Sequence, residues 1–126
     1  MASEHNQESD RTKDPASRPE QAERRQTLRD QALRDQAWIG DAVLTLYARL
    51  KILREDGRLD GEKAARMTSN QFLAAFGEPT AVEAGIGRVY ALDGLEAAFS
   101  HIESSFIPLF NRQEQKRLRK LGQPPF

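Results

Sequence analysis

One carboxylate in this chain stands where a carboxylate is hard to place. Asp41 lies within Trp38-Ile39-Gly40-Asp41-Ala42-Val43-Leu44, an otherwise apolar stretch, and burying an unpaired, ionised Asp costs several kcal/mol. Such a residue needs a reason. One reading is structural, a hydrogen bond to a helix end or an Arg partner; the other is a functional acid. Gly40 beside it is costly in a helix interior by about 1 kcal/mol relative to Ala, which predicts a second backbone passing close by. The other chemistry-bearing residues are weaker. His5 and His101 have no acid–nucleophile constellation near them in sequence. Asp93 and Glu96 flank Gly94 and are expected to cap a turn and face solvent. The run Arg112, Lys116, Arg117, Arg119 and Lys120, opposed only by Glu114, is the one clearly basic segment. It reads either as a solvated helix end or as an RNA contact.

The elements that must position Asp41 are helical. Apolar residues from Leu28 and Leu33 onward thicken through Trp38, Ile39, Val43, Leu44, Leu46, Tyr47, Leu50, Ile52 and Leu53, a density covering more than one helical face and predicting a buried central helix over about 27–55. Gly57 and Gly61 end it. Asp60 is a candidate N-cap for a helix from about Gly61 to Phe76. Glu78-Pro79-Thr80 opens another, with Val82, Ile86, Val89 and Tyr90 at helical spacing and Pro79 in the first turn, where a missing N–H costs little. After Asp93-Gly94, Leu95 to Phe110 predicts a last helix that Pro108 kinks or splits. Gly85 and Gly87 fall inside a helix, so they suit close packing rather than a phosphate loop. No strand-like alternation or internal repeat is visible, so the class is all-α.

Composition narrows the rest. The chain has 126 residues, the size of one domain, with 19 basic and 19 acidic side chains and therefore no overall bias toward polyanions. The absence of cysteine excludes a disulfide framework, a thiolate zinc site and cysteine nucleophiles, and fits a reducing cytoplasmic setting. No apolar run suits a membrane span or secretory signal, so a soluble protein without membrane partners is expected. Residues 1–26 contain six acids, five bases and no aliphatic residue larger than Ala after Met1, and are expected to form a disordered charged tail. Residues 27–121 are the expected helical domain and 122–126 a short C-terminal tail.

The Asp41 segment resembles the F-L-G-D-A-V-L core of the ribonuclease III nuclease domain. Two further segments match in family order: Met67-Thr68-Ser69-Asn70 is similar to the family's L-V-S-N, and Thr80 to Ala97, reading T-A-V-E-A-G-I-G-R-V-Y-A-L-D-G-L-E-A, to its second conserved helix. The resemblance implies a ribonuclease III-like helical fold without a separate double-stranded RNA-binding domain. It further implies that Asp41 and Glu83 are catalytic acids that bind Mg²⁺, with Mn²⁺ as a substitute, and that the cation activates water for attack on structured or double-stranded RNA. A metal-dependent endoribonuclease in RNA processing, including ribosomal RNA maturation, is the expected function. The superfamily places its duplex cleft across a two-fold axis, so a homodimer is expected, with no small-molecule cofactor. Arg88, about one turn beyond Glu83, is expected to pair with it, to face solvent or to meet RNA phosphate.

Two departures accompany the resemblance. A typical ribonuclease III has two more acids in these motifs, at the positions of Ala37 and Thr80; Mini-III lacks both and also lacks a separate RNA-binding domain, so this chain is closest to Mini-III. The segment joining the second and third motifs is shorter than in either relative, with only Gly77, Glu78 and Pro79 between Phe76 and Thr80. The alternative reading is accordingly a catalytically silent fold that binds RNA or the ribosome; a third is a helical dimerisation module without an RNA role.

Overall fold

The computed structural model describes residues 19–122, and every regular element among them is a helix. In chain order these are α1 (Pro19–Asp56), α2 (Gly61–Thr68), α3 (Asn70–Leu73), α4 (Pro79–Asp93), α5 (Leu95–Ser105) and α6 (Ile107–Leu121). The chain divides into two compact units, 1–32 and 33–126. In the first, the described residues are the opening turns of α1. They are almost wholly exposed and are tied locally by Gln26 Nε2 donating to Asp30 Oδ1 and Thr27 Oγ1 to the Glu23 carbonyl. The helix begins at Pro19, earlier than the expected start near Thr27. Proline at the first helical position gives up only an N–H that would have no partner there. His5 and the remainder of the expected tail through Arg18 lie outside the described residues, as do 123–126.

The second unit holds the core. Val43, Leu44, Tyr47 and Ala48 of α1 meet Met67 of α2, Phe72 and Leu73 of α3, Ile86 of α4, Ala98 and Ile102 of α5, and Phe106, Ile107 and Phe110 at the start of α6. Leu44, Met67, Leu73, Ile86, Ile102, Ile107 and Phe110 are completely buried, each contributing about 1.5–3 kcal/mol from burial. Edge-to-face aromatic pairs link α3 and the turn after it to α6 and the residue before it, with Phe72 and Phe110 centroids 5.6 Å apart and Phe76 and Phe106 4.7 Å apart.

Local sequence explains the boundaries. Asp60 caps α2 by accepting from Lys63 N at 3.0 Å. The expected single helix over Gly61–Phe76 is instead two, because Ser69 adopts an extended conformation and its hydroxyl accepts from Phe72 N at 3.0 Å. A side chain that satisfies the first amides of a new helix competes with continuation of the old one. Pro108 falls in the first turn of α6, and the chain breaks at Phe106 just before it. Gly94 separates α4 from α5 at φ +94°, a conformation that L side chains rarely adopt. It is also the α5 N-cap, without a side-chain bond, so the expected capping by Asp93 does not occur.

α1 departs most from expectation. Only one face is buried: Ala37, Gly40, Val43, Leu44, Tyr47, Ala48, Lys51 and Ile52. Trp38 is 78 % exposed, and Ile39, Leu46, Leu50 and Leu53 are also exposed. Among the described residues no helix is long and apolar enough to cross a membrane.

Candidate functional site

The site is made where α1 crosses α4, and two glycines make the crossing possible. A Cβ on Gly40 would overlap the Glu83 carbonyl oxygen and lie 2.7 Å from its carbon; a Cβ on Gly87 would overlap the Gln36 carbonyl oxygen and lie 3.0 Å from its carbon. The backbones are therefore in direct contact, as the cost of Gly40 within a helix predicts, and only glycine fits at either position. Gly85 has open space around its Cα, so the close-packing role expected of it belongs to Gly87 alone.

Asp41 follows Gly40 and Glu83 sits one turn before Gly87. Backbone contact between Gly40 and Glu83 brings the two acids to the same edge of the crossing. The Glu83 carboxyl is hydrogen-bonded to Asp41 and pushed up to about 7, first by burial, then by that hydrogen bond, then by the negative charges of Asp41 and Glu78. A hydrogen bond between two carboxyl groups requires a shared proton. Asp41 itself is exposed and Glu83 half-buried. The burial expected of Asp41 is thus corrected: it sits at the edge of the α1 interface, facing the second acid and solvent, and carries no deep desolvation cost.

Glu78 is the member that sequence reasoning missed. Its side chain caps α4, accepting from Thr80 N and Ala81 N, both at 3.0 Å, and these amides hold its carboxyl below the usual range. It therefore stays ionised one and a half turns before Glu83 and adds negative potential there. The signal was present as an acid immediately before Pro79, the N-cap position of a helix that opens on proline.

The other candidates separate from this pair. Positions 37 and 80 hold a buried Ala and a half-buried Thr, and neither supplies a carboxylate. Arg88 is exposed and in no ion pair among the described residues. His101 has Nδ1 3.4 Å from Ser105 Oγ and its ring edge-on to Phe106, a packing role. Asp93 and Glu96 are exposed. Elsewhere Tyr47 donates to Glu103, and burial together with that contact raises the phenol above its usual range; buried Lys51 pairs with Glu55 at 2.7 Å. Both contacts are fully used in holding α1.

Chemically, the pair can share a proton or a cation. Among the described residues no group of three or more His, Cys, Asp or Glu is arranged to hold a metal. Two hard oxygen donors, half open to solvent and repelling one another in the absence of a countercharge, fit a Mg²⁺-type ion, which is often held by one or two carboxylates with water and substrate phosphate completing its shell. Comparison with protein-family models, curated proteins and solved structures finds no match to this chain.

Proposed function

We propose that the protein is a Mg²⁺-dependent endoribonuclease of the ribonuclease III type, closest to Mini-III, acting on structured or double-stranded RNA, with Asp41 and Glu83 as its metal-binding catalytic acids. The observation that carries this reading is the carboxyl–carboxyl contact at a crossing where glycine is obligatory on both helices. Two acids from motifs some forty residues apart in sequence meet on a partly open surface, in the order and at the motif positions where the resemblance puts catalytic acids. Bound Mg²⁺ would supply electrostatic stabilisation and Lewis acidity for phosphodiester hydrolysis. The chain's own part is to hold Asp41 and Glu83 together, with Gly40 and Gly87 setting the approach of their helices and Glu78 reinforcing the negative potential that draws a cation in place of the Glu83 proton.

A homodimer belongs to this proposal. Ile39, Leu46, Leu50 and Leu53 recur on the face of α1 turned away from the core and are all exposed. A row of this kind on a helix whose opposite face is buried suits a self-complementary contact across a two-fold axis. One observation favours a silent RNA-binding fold instead: Ala37 and Thr80 leave the site with two acids where a typical family member has four. The decisive assay incubates an RNA duplex with wild type, Asp41→Asn and Glu83→Gln, with and without Mg²⁺ or Mn²⁺. Cleavage by wild type that needs the metal, with 5′-phosphate products, and none by either variant is expected. Absence of cleavage in both metals would leave the silent reading.

A further inference from the structure

α6 carries a basic face that the Asp41–Glu83 pair does not use. Arg112, Lys116, Arg119 and Lys120 are all exposed, and at 3.6 residues per turn they fall within about 100° of the helix circumference. Arg112, Lys116 and Lys120 stand on successive turns and spread their charges over roughly 12 Å of axis. None of the four is in an ion pair among the described residues. The one acid on the helix, Glu114, is taken out of play by Arg66 of α2, whose Nε and Nη2 donate to its two carboxylate oxygens at 2.8 and 2.9 Å. Arg117 is half-buried and turned toward Glu114, adding to the positive charge that holds its carboxyl low; it leaves the row and Arg112 joins it. In a chain of zero formal net charge, four uncompensated cations on one face are a local segregation of charge.

We propose that this face of α6 binds the phosphate backbone of structured RNA; the inference rests on the RNA reading above and assigns it a surface outside the carboxylate pair. Phosphate neutralisation by Lys and Arg is the dominant, sequence-independent source of affinity for such polymers. A regular row of point charges on a convex helix matches a regular polyanion. An anionic membrane fits less well, because a helix lying on lipid needs a free apolar face opposite its cations. On α6 that face is spent on the core by Ile107 and Phe110, and only Leu118 and Leu121 at the helix end remain exposed on it. The clamp from Arg66 fixes the helix that presents the row, so little order has to be gained on binding.

The test measures binding of a blunt 24-base-pair RNA duplex in chelator, where no cleavage occurs, across a salt series. The variant Arg112→Gln/Lys116→Gln/Arg119→Gln/Lys120→Gln should weaken Kd by at least about tenfold at 0.1 M salt and flatten the dependence of log Kd on log salt by about 3–4. Its melting temperature should match wild type, since the four side chains are exposed and form no ion pair among the described residues. If the quadruple variant folds poorly, Lys116→Gln/Lys120→Gln should flatten the slope by about half as much. Unchanged affinity and slope in the variant would overturn the proposal, as would wild type that binds phosphatidylserine vesicles or polyglutamate but no duplex. The catalytic reading fails separately. Wild type that cleaves duplex while the variant binds it unchanged removes only this surface; wild type that binds through this face and never cleaves removes only the nuclease.

Discussion

Replacing Glu83 with Gln should stabilise the protein, by an amount that grows from nothing at pH 4 to its full value above pH 7. The Glu83 carboxyl ordinarily ionises near 4.5 and in the fold is pushed up to about 7 by burial, by its hydrogen bond to Asp41 and by the charges of Asp41 and Glu78. Below pH 4.5 the group is protonated in both folded and unfolded chains and contributes no difference. Between 4.5 and 7 the unfolded chain releases the proton while the folded one retains it, so stability falls as pH rises; above 7 the penalty is complete. The difference, 7 − 4.5 = 2.5, corresponds to about 3.4 kcal/mol for a sequestered group. Glu83 is only half-buried and solvent screens the repulsion, which reduces the figure to about 1–2 kcal/mol. Gln keeps the shape and can donate its amide N–H to Asp41, so Glu83→Gln should gain that amount at pH 8 and nothing at pH 4. For a domain of this size the gain is about 4–12 °C in Tm. Thermal melts of both proteins at pH 4, 6 and 8 measure it. A second arm adds Mg²⁺ at pH 8, which should raise the Tm of wild type and leave Glu83→Gln nearly unmoved, since a ligand stabilises only the state that binds it. A variant equally or less stable than wild type at pH 8 would refute the premise that burial and the neighbouring Asp41 raise the Glu83 carboxyl.

Gly40→Ala drives a methyl group into the Glu83 backbone; a loss of about 2–3 kcal/mol in urea unfolding is expected, with a fall in the Glu83 pKa, measured by NMR titration, as the helices part. Adding Ala37→Glu and Thr80→Asp together tests whether the number of acids limits catalysis: faster cleavage is the expected result, although buried Ala37 makes some loss of Tm part of it. Arg66→Ala should cost about 1 kcal/mol at pH 7. Glu114 is held below its usual range by Arg66, so that contribution is present above pH 4.5 and disappears as pH falls through the depressed pKa, which melts at pH 2.5 and 7 would show. Truncation to a chain starting at Thr27 should leave the Tm within about 2 °C, because the described part of the first unit is exposed and its side-chain hydrogen bonds there are local. Sedimentation equilibrium should give a dimer that Leu46→Glu with Leu50→Glu dissociates.

Much of this molecule is written locally. Asp60, Glu78-Pro79 and Gly94 mark helix ends through chemistry confined to three or four residues, and the helical spacing of Val82, Ile86 and Val89 on α4 and of Ala98 and Ile102 on α5 marks their core faces, so the all-helical class and most boundaries could be read in advance. Gly40 announced a close backbone because a helical glycine has a cost that must be recovered elsewhere. What the sequence could not state was which backbone. That it is Glu83 and Gly87, and hence that Asp41 meets a second acid, follows from how α1 and α4 cross, a contact between residues more than forty positions apart. The same crossing decides which apolar residues of α1 are core. Trp38, Ile39, Leu46 and Leu50 are as hydrophobic as Val43, Leu44 and Ile52, yet they lie on the other side of the helix. Ser69, which any single-helix pattern would pass over, ends α2 because its hydroxyl accepts from Phe72 N, and the Phe72 ring packs against Phe76 and Phe110. Local propensity sets where helices begin and end; the pairing of their faces, and with it the meeting of the two carboxylates, is set only when the core closes.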